Sequence, residues 1–135
     1  MYAVGRRGRG KSTDAVEYCV EREFEDIVAV VNEIGQPVNL PGHSFEVFCS
    51  LEAALLMENI NKLILHESQA PGVKLISPDV ANKIQPLLDV DDRGAALSIY
   101  MLEVGRLTLD ELEILRSLPD WSGRVAAAHT VLRED

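Results

Sequence analysis

The chain contains 135 residues, 47% of them hydrophobic, and its formal net charge is −9. Such a chain suits one domain of ordinary size and is not disordered throughout. It has no run of about 18 apolar residues for a membrane span, and no apolar stretch follows the N-terminal arginines as in a secretory signal. Two cysteines exclude a disulfide framework, so we expect Cys19 and Cys49 to be reduced in a soluble, cytoplasmic protein.

The charge is distributed unevenly along the chain. Residues 1–11 contain four basic side chains and no acid, whereas residues 12–135 contain all 22 acidic ones. An acidic body repels nucleic acid, so any contact with nucleic acid is expected to fall to the N-terminal segment.

The first third combines a helical pattern with apolar runs typical of strands. Residues 13–24 are predicted to form a helix, because four apolar residues recur about one turn apart. Residues 27–31 are β-branched and apolar, which favours a strand, and residues 45–48 alternate as a second strand does. Between them, residues 32–43 contain two prolines and two glycines, which predicts a turn-rich connection with a short extended piece at 37–40.

The pattern changes at Ser50, whose hydroxyl can cap a helix that has its apolar residues on one face. The sequence leaves two alternatives open for residues 51–67. One is a single helix over the whole segment; the other is a helix that stops near Asn59, followed by a strand at residues 62–65. Another short apolar run follows at residues 73–76.

The last third predicts four helices joined by short links. Ser77 precedes Pro78 at a helix start, and this helix is expected to run through Leu88, with a kink or an early end at Pro86. Residues 95–104 form the second helix, which a glycine closes.

The remaining two helices have clear starting signals. Thr108 and Glu111 form a capping box that opens the third helix, and Ser122 starts the fourth. Short links between helices favour a compact helical cluster, so no strand is expected between Pro78 and Leu132.

Residues 5–12 match the pattern G-x-x-x-x-G-K-[ST] at every fixed position. The segment resembles the Walker A loop of P-loop nucleoside triphosphatases, in which backbone N–H groups curl around phosphates. The resemblance implies that Lys11 reaches the β- and γ-phosphates, that Ser12 coordinates Mg²⁺, and that residues 13–24 form the helix behind them. The cofactor it implies is Mg-ATP or Mg-GTP.

The same residues suit a flexible cationic arm, which is the hypothesis that we favour. A Gly/Arg-rich terminus yields such a pattern readily, and His66 stands where the P-loop family has the acid that holds Mg²⁺. On the arm hypothesis the protein has no cofactor and contacts nucleic acid or an acidic partner. The residues that would bind phosphate are Arg6, Arg7, Arg9, Lys11 and Ser12.

These elements predict an α+β protein that is mainly α. A short β-containing N-terminal half is expected to pack on a C-terminal cluster of about four helices. Residues 1–12 would be the basic arm or phosphate loop, and residues 13–135 a single globular domain that is helical from residue 78. The alternative is a small α/β P-loop sheet with a helical C-terminal extension.

The acidic helical half offers a second surface for a partner. Glu103 and Asp110 belong to this acidic face, and Trp121, in a link between two helices, could anchor a protein. No catalytic group is assigned, because the adjacency of His43 and Ser44 in sequence says nothing about geometry. The histidines have no metal-ligand spacing among themselves or with the cysteines, so no metal site is expected.

The function expected from these features is non-catalytic. We predict a binding, assembly or regulatory protein, of the kind found as small virion subunits, whose cationic arm contacts nucleic acid or an acidic partner. Its acidic body would bind another protein, and the sequence does not decide whether the protein forms an oligomer. The alternative is a minimal P-loop protein that binds ATP or GTP.

Overall fold

The computed structural model describes residues 1–67 and 74–134. Within these residues the chain is mainly helical and contains one small parallel sheet, which confirms the predicted α+β, mainly α class. Contacts group the chain into two compact units. We call Ala15–Val73 the sheet unit, and Met1–Asp14 together with Lys74–Asp135 the helical unit.

In the sheet unit, two helices alternate with two strands: α1 (Glu21–Ile34), β1 (Val38–His43), α2 (Phe45–Ala54) and β2 (Ile60–His66). The strands pair in parallel, with His43 opposite His66 at the end of the register. Parallel strands need a crossover connection, and α2 supplies it, so β1, α2 and β2 form a βαβ unit. The core of this unit contains Phe24, Phe45, Cys49 and Ala53. No disulfide joins Cys19 to Cys49, as the sequence predicts.

Helix α1 replaces two predicted elements. The helix predicted over residues 13–24 begins only at Glu21, and the strand predicted at residues 27–31 lies inside α1. Both predictions are wrong because burial of one helical face outweighs the strand preference of β-branched residues. Four buried or half-buried residues of that face follow the i, i+3, i+4, i+7 spacing: Phe24, Ile27, Val28 and Val31. Gly35, in the left-handed conformation, then ends the helix.

Helix α2 begins earlier than the sequence predicts. Residues 45–48, predicted as a strand, form its first turn, so that prediction is wrong, and Ser50 lies inside the helix rather than at its cap. Phe45, Cys49 and Ala53 recur at intervals of four, and their burial in one core favours helix over strand. The extended piece predicted at residues 37–40 is confirmed as the start of β1.

The two alternatives for residues 51–67 are resolved in favour of a helix followed by a strand. Helix α2 ends at Ala54, and β2 begins at Ile60 and includes the predicted strand at residues 62–65. The apolar run at residues 73–76 forms no strand at 74–76, and residue 73 lies outside the described residues.

Five helical segments make up most of the helical unit: α3 (Pro78–Asp89), α4 (Arg93–Glu103), α5 (Leu109–Ser117), α6 (Trp121–Ala127) and a 3₁₀-helix (Ala128–Arg133). The four predicted helices are confirmed, and no strand occurs between Pro78 and Leu132. No helix in the described ranges is long and apolar enough to cross a membrane. The buried core of this unit contains Ile76, Val80, Ile84, Ala96, Leu97, Ala128 and Val131.

Two helix boundaries in this unit differ from the prediction. Helix α3 continues past Pro86, because Ile84 before the proline and Leu88 after it both pack in the same core. Helix α6 begins at Trp121, one residue before the expected start at Ser122, and its N-terminus has no side-chain cap.

The capping box at α5 gives a direct test of these helix ends. The Thr108 hydroxyl accepts a hydrogen bond from the Glu111 N–H (3.3 Å), and the Glu111 carboxylate accepts one from the Thr108 N–H (2.8 Å). Thr108→Ala should lower the free energy of unfolding by about 1 kcal/mol. The control is Ser122→Ala, which removes no cap and should change it by less than about 0.5 kcal/mol. Urea unfolding, followed by circular dichroism, measures the free energy of unfolding of both variants. Equal losses in Thr108→Ala and Ser122→Ala would contradict the capping role of Thr108.

Candidate functional site

Ser44 forms the turn between β1 and α2 on its own. Its backbone has φ 54° and ψ −121°, a conformation that residues other than glycine rarely adopt and that costs about 1–3 kcal/mol. Serine at the residue before a helix often caps it through the hydroxyl, but the Ser44 side chain makes no such bond. No side-chain cap of α2 therefore offsets the strain at Ser44, and strain of this kind concentrates at functional sites.

The neighbours of Ser44 hold it in this conformation. The Ser44 N–H donates a hydrogen bond to the His66 carbonyl across the sheet (3.0 Å), and the Ser44 carbonyl accepts one from the Val47 N–H (3.0 Å). A Cβ atom at Gly42 would lie 2.6 Å from the Glu46 carbonyl oxygen, closer than real Cβ atoms approach. Only glycine at position 42 therefore lets the first turn of α2 pack directly on the end of β1.

Three titratable side chains meet at the carboxyl end of the same sheet. His43 Nε2 lies 2.7 Å from Glu67 Oε2, and the ring centres of His43 and His66 are 5.2 Å apart. The hydrogen bond of His43, followed by the charges of His66 and His43, lowers the pKa of the Glu67 carboxyl. All three side chains are exposed. We call His43, His66 and Glu67 the strand-end cluster.

An open cavity of ≈ 470 Å³ lies at these strand ends. This volume is within the range of small-molecule sites. Its walls come from both strands and from the first turn of α2, which places the cavity around the residues on either side of Ser44. The lining residues are Pro41, Gly42, His43, Glu46, Ile64 and His66.

In the helical unit, two of the predicted phosphate-binding arginines pair with Glu134. Arg6 Nη1 donates to Glu134 Oε1 (2.8 Å), and Arg9 Nη2 donates to the same oxygen. Arg9 Nε also donates to Thr130 Oγ1 (3.0 Å), and the Tyr100 hydroxyl donates to Glu134 Oε2 (2.9 Å). The N-terminal segment is thus joined to α4 and to the C-terminal 3₁₀-helix through one carboxylate.

The protonation states of this network follow from its partners. Burial alone would favour neutral Glu134, but Arg9, the Tyr100 hydroxyl and Arg6 outweigh it and hold the pKa of the carboxyl below its ordinary value. Burial, followed by the charge and the hydrogen bond of Glu134, raises the pKa of Tyr100. At neutral pH the carboxylate is ionised and the tyrosine is a neutral donor, so Glu134 pairs with both arginines and offsets one of their two charges.

The other residues of the basic segment take different positions. Lys11 is exposed and Arg7 half-buried. The Ser12 hydroxyl donates to the Gly5 carbonyl (2.7 Å), and Gly8 has φ 76°. Turns or bends occupy residues 7–11, and no helix follows Ser12 before Glu21. The segment therefore lacks the helix that the Walker A resemblance implies directly after Ser12.

The residues proposed for partner binding lie on three helices of the helical unit. Trp121 is half-buried against the core, with the guanidinium carbon of Arg116 6.0 Å from its ring centre. Glu103 binds Lys83 Nζ (2.8 Å), and Asp110 is exposed in the first turn of α5. Within the described residues no hydrogen bond or ion pair joins Trp121, Glu103 and Asp110 to one another, and their role in binding a partner stays a prediction.

The Glu134 network predicts a pH-dependent stability. Because the folded-state pKa of Glu134 lies below its ordinary value of 4.5, the ionised group stabilises the protein above that pH, and this stabilisation is lost as the pH falls through the folded-state pKa. Glu134→Gln should lower the free energy of unfolding by about 1.5–3 kcal/mol at neutral pH. The difference from wild type should shrink on acidification below about pH 4.

Glu113→Gln provides the matched control for Glu134→Gln. Glu113 pairs with Arg116 on the exposed face of α5 (2.9 Å), so its removal should change the free energy of unfolding by less than about 1 kcal/mol. Urea titrations at a series of pH values measure both variants. A difference between Glu134→Gln and wild type that grows at low pH would contradict the network.

Ser44 was assigned no role from the sequence beyond its adjacency to His43, and the strand-end cluster was not predicted. Gly42 and Ser44 supply the first half of the pattern G-x-S-x-G, in which a serine sits on a strained turn between a strand and a helix. The signal was incomplete because Glu46 stands at the second glycine and because the helix after Ser44 was predicted as a strand. The sequence predicted no metal-ligand group because the histidines are far apart along the chain. In the structure, the parallel register brings His43 and His66 together.

Comparisons with known proteins give one structural likeness. No protein-family model matches the sequence, and no curated protein matches it. The chain is similar to the crystal structure of an alpha/beta hydrolase from Sphaerobacter thermophilus DSM 20745, with a TM-score of 0.81 and 33% sequence identity. The match covers 96% of this chain and 51% of the hydrolase chain, so the present chain spans about half of that protein.

Proposed function

We propose that Ser44 is the nucleophile of a hydrolase of the alpha/beta hydrolase class. The observation that carries the proposal is the strained backbone of Ser44 between β1 and α2 (φ 54°, ψ −121°). In that class the nucleophilic serine occupies a sharp strand-to-helix turn that exposes its Oγ at the end of the sheet. The similarity to the Sphaerobacter thermophilus hydrolase supports the same assignment.

The proposed reaction is hydrolysis of an ester. Ser44 Oγ, losing its proton to a general base, would attack the ester carbonyl carbon and expel the alcohol, which takes up a proton. Water would then attack the acyl-serine, release the carboxylic acid and restore the hydroxyl. Phe45 directly follows Ser44 at the start of α2, and the N–H of the residue after the nucleophile stabilises the oxyanion in sites of this class.

Glu46 distinguishes this turn from the usual pattern. It occupies the position of the second glycine and lines the cavity together with His43 and His66. A carboxylate in the first turn of α2 interacts favourably with the positive end of the helix. The same carboxylate repels anions at short range, so we expect neutral or cationic esters to be accepted in preference to anionic ones.

The test is covalent labelling of the protein isolated at its native length. A fluorophosphonate reacts with an activated serine hydroxyl, and peptide mapping locates the adduct. We expect the adduct on the peptide that contains Ser44 and no labelling of Ser44→Ala, because the phosphonate bonds to the nucleophilic oxygen. Ester hydrolysis, measured with a neutral p-nitrophenyl ester, should fall at least about 10³-fold in the same variant.

Ser117→Ala is the control for these measurements. Ser117 is an exposed serine of α5 whose hydroxyl donates to the Ile114 carbonyl (2.6 Å), so its removal should leave labelling and hydrolysis unchanged. Labelling of another serine, or hydrolysis that survives in Ser44→Ala, would contradict the proposed role of Ser44.

The nucleic-acid, P-loop and protein-partner hypotheses stay predictions, as does a cytoplasmic location. For the arm hypothesis, phosphates would have to compete with Glu134 for Arg6 and Arg9. That competition makes phosphate binding less favourable in free energy, because the carboxylate of Glu134 would lose its two arginine partners. No observation in the described residues favours these functions over the hydrolase.

A further inference from the structure

We infer that the strand-end cluster of His43, His66 and Glu67 binds a divalent transition metal of the Zn²⁺ class. Each side chain offers one ligand atom, and these atoms all lie within 4.8 Å of one another. Across residues 1–67 and 74–134, this is the single group of three His, Cys, Asp or Glu side chains with that spacing. All three are exposed, so an ion can reach them directly from solvent.

The backbone brings these ligands together without help from a metal. His43 and His66 face each other in the parallel register, and the hydrogen bond from the Ser44 N–H to the His66 carbonyl (3.0 Å) fixes the two strand ends. Glu67 follows with φ 53°, in the left-handed region. Its carboxylate reaches His43 at 2.7 Å, so the turn after β2 brings the third ligand to the two imidazoles.

Small side-chain movements would complete the coordination. Ligand atoms around a tetrahedral ion with bonds of about 2.0–2.1 Å are about 3.3 Å apart. The His43–Glu67 pair, at 2.7 Å, would open slightly, and the wider pairs would close by up to about 1.5 Å. Exposed side chains make such movements by rotation about their own bonds, with no change in β1 or β2.

The ligand set selects the kind of ion. Two imidazoles and one carboxylate match the donors of known three-ligand zinc sites, and imidazole also suits Cu²⁺ and Ni²⁺. Mg²⁺ and Ca²⁺ prefer oxygen ligands throughout. Three protein ligands leave a fourth position for water or a small anion, so the site is of the exchangeable type rather than a closed structural one.

The metal site does not depend on the proposed role of Ser44. Its ligand atoms come from the residue before Ser44, from the last residue of β2 and from the residue after it, and the serine hydroxyl is not among them. Ser44→Ala should therefore bind the ion as the wild type does. This variant separates failure of the metal site from failure of the proposed hydrolase activity.

The test is a titration of the untagged chain with ZnCl₂ by isothermal calorimetry, repeated with Co²⁺ by visible absorption. We expect one ion per chain, with affinity reduced at least about tenfold in each of His43→Ala, His66→Ala and Glu67→Gln. His129→Gln is the matched control, because it removes the third histidine of the chain, which lies in the helical unit beside Asp14. Excess Mg²⁺ should not displace the bound ion.

Two results would overturn the metal site. One is affinity in the three ligand variants equal to that of wild type and His129→Gln. The other is no one-to-one binding by the wild type. Because Glu67→Gln keeps the size of an exposed side chain, it guards against a loss caused by unfolding, and circular dichroism of each variant checks the fold.

Discussion

The close approach of α2 to β1 at Gly42 is the constraint on which the sheet unit depends. With no Cβ at this position, the Glu46 carbonyl can lie where a larger residue would collide with it. The chain must then reverse direction within a single residue, and Ser44 takes a conformation that few non-glycine residues adopt. Because Ser44 alone connects β1 to α2, His43 is the last residue of β1, and it pairs in register with His66, the last residue of β2. The proposed nucleophile, the cavity and the proposed metal ligands therefore share one structural cause.

A second constraint is the carboxylate of Glu134, which holds part of the N-terminal basic segment against the rest of the helical unit. Glu134 lies 128 residues from Arg6 in the sequence, yet it receives hydrogen bonds from Arg6, Arg9 and Tyr100. A half-buried carboxylate needs such partners because desolvation otherwise favours its neutral form. Thr130 and the pair between Asp14 and Arg133 (2.8 Å) add further contacts between the segment and the C-terminal 3₁₀-helix. Two arginines of the segment that resembles a phosphate loop thus contribute to the packing of the helical unit, and its binding of phosphate stays a prediction.

Local signals predicted the helices of the helical unit better than those of the sheet unit, for a physical reason. The capping box at Thr108 depends on residues three apart, so the sequence contains all of it. Residues 27–31 carry strand-forming side chains, but Ile27, Val28 and Val31 also follow a helical spacing. Burial of that face beside α2 favours the helix, whereas side-chain type alone favours a strand. In the sequence, Gly42 was the only other fixed residue of the pattern G-x-S-x-G that could point to Ser44, because Glu46 replaces the second glycine. The strand-end cluster depends on parallel register, which no local spacing encodes.

The stability difference between Ser44→Gly and Ser44→Ala tests the central claim most directly. Glycine adopts φ 54°, ψ −121° without the strain of about 1–3 kcal/mol, and it costs about 0.5–1 kcal/mol in flexibility. We predict that Ser44→Gly has the higher free energy of unfolding, by about 1 kcal/mol. Ser122 lies inside α6, where glycine is less favourable than alanine, so Ser122→Ala should be more stable than Ser122→Gly. If Ser44→Gly were less stable than Ser44→Ala, this result would contradict a strained backbone at Ser44.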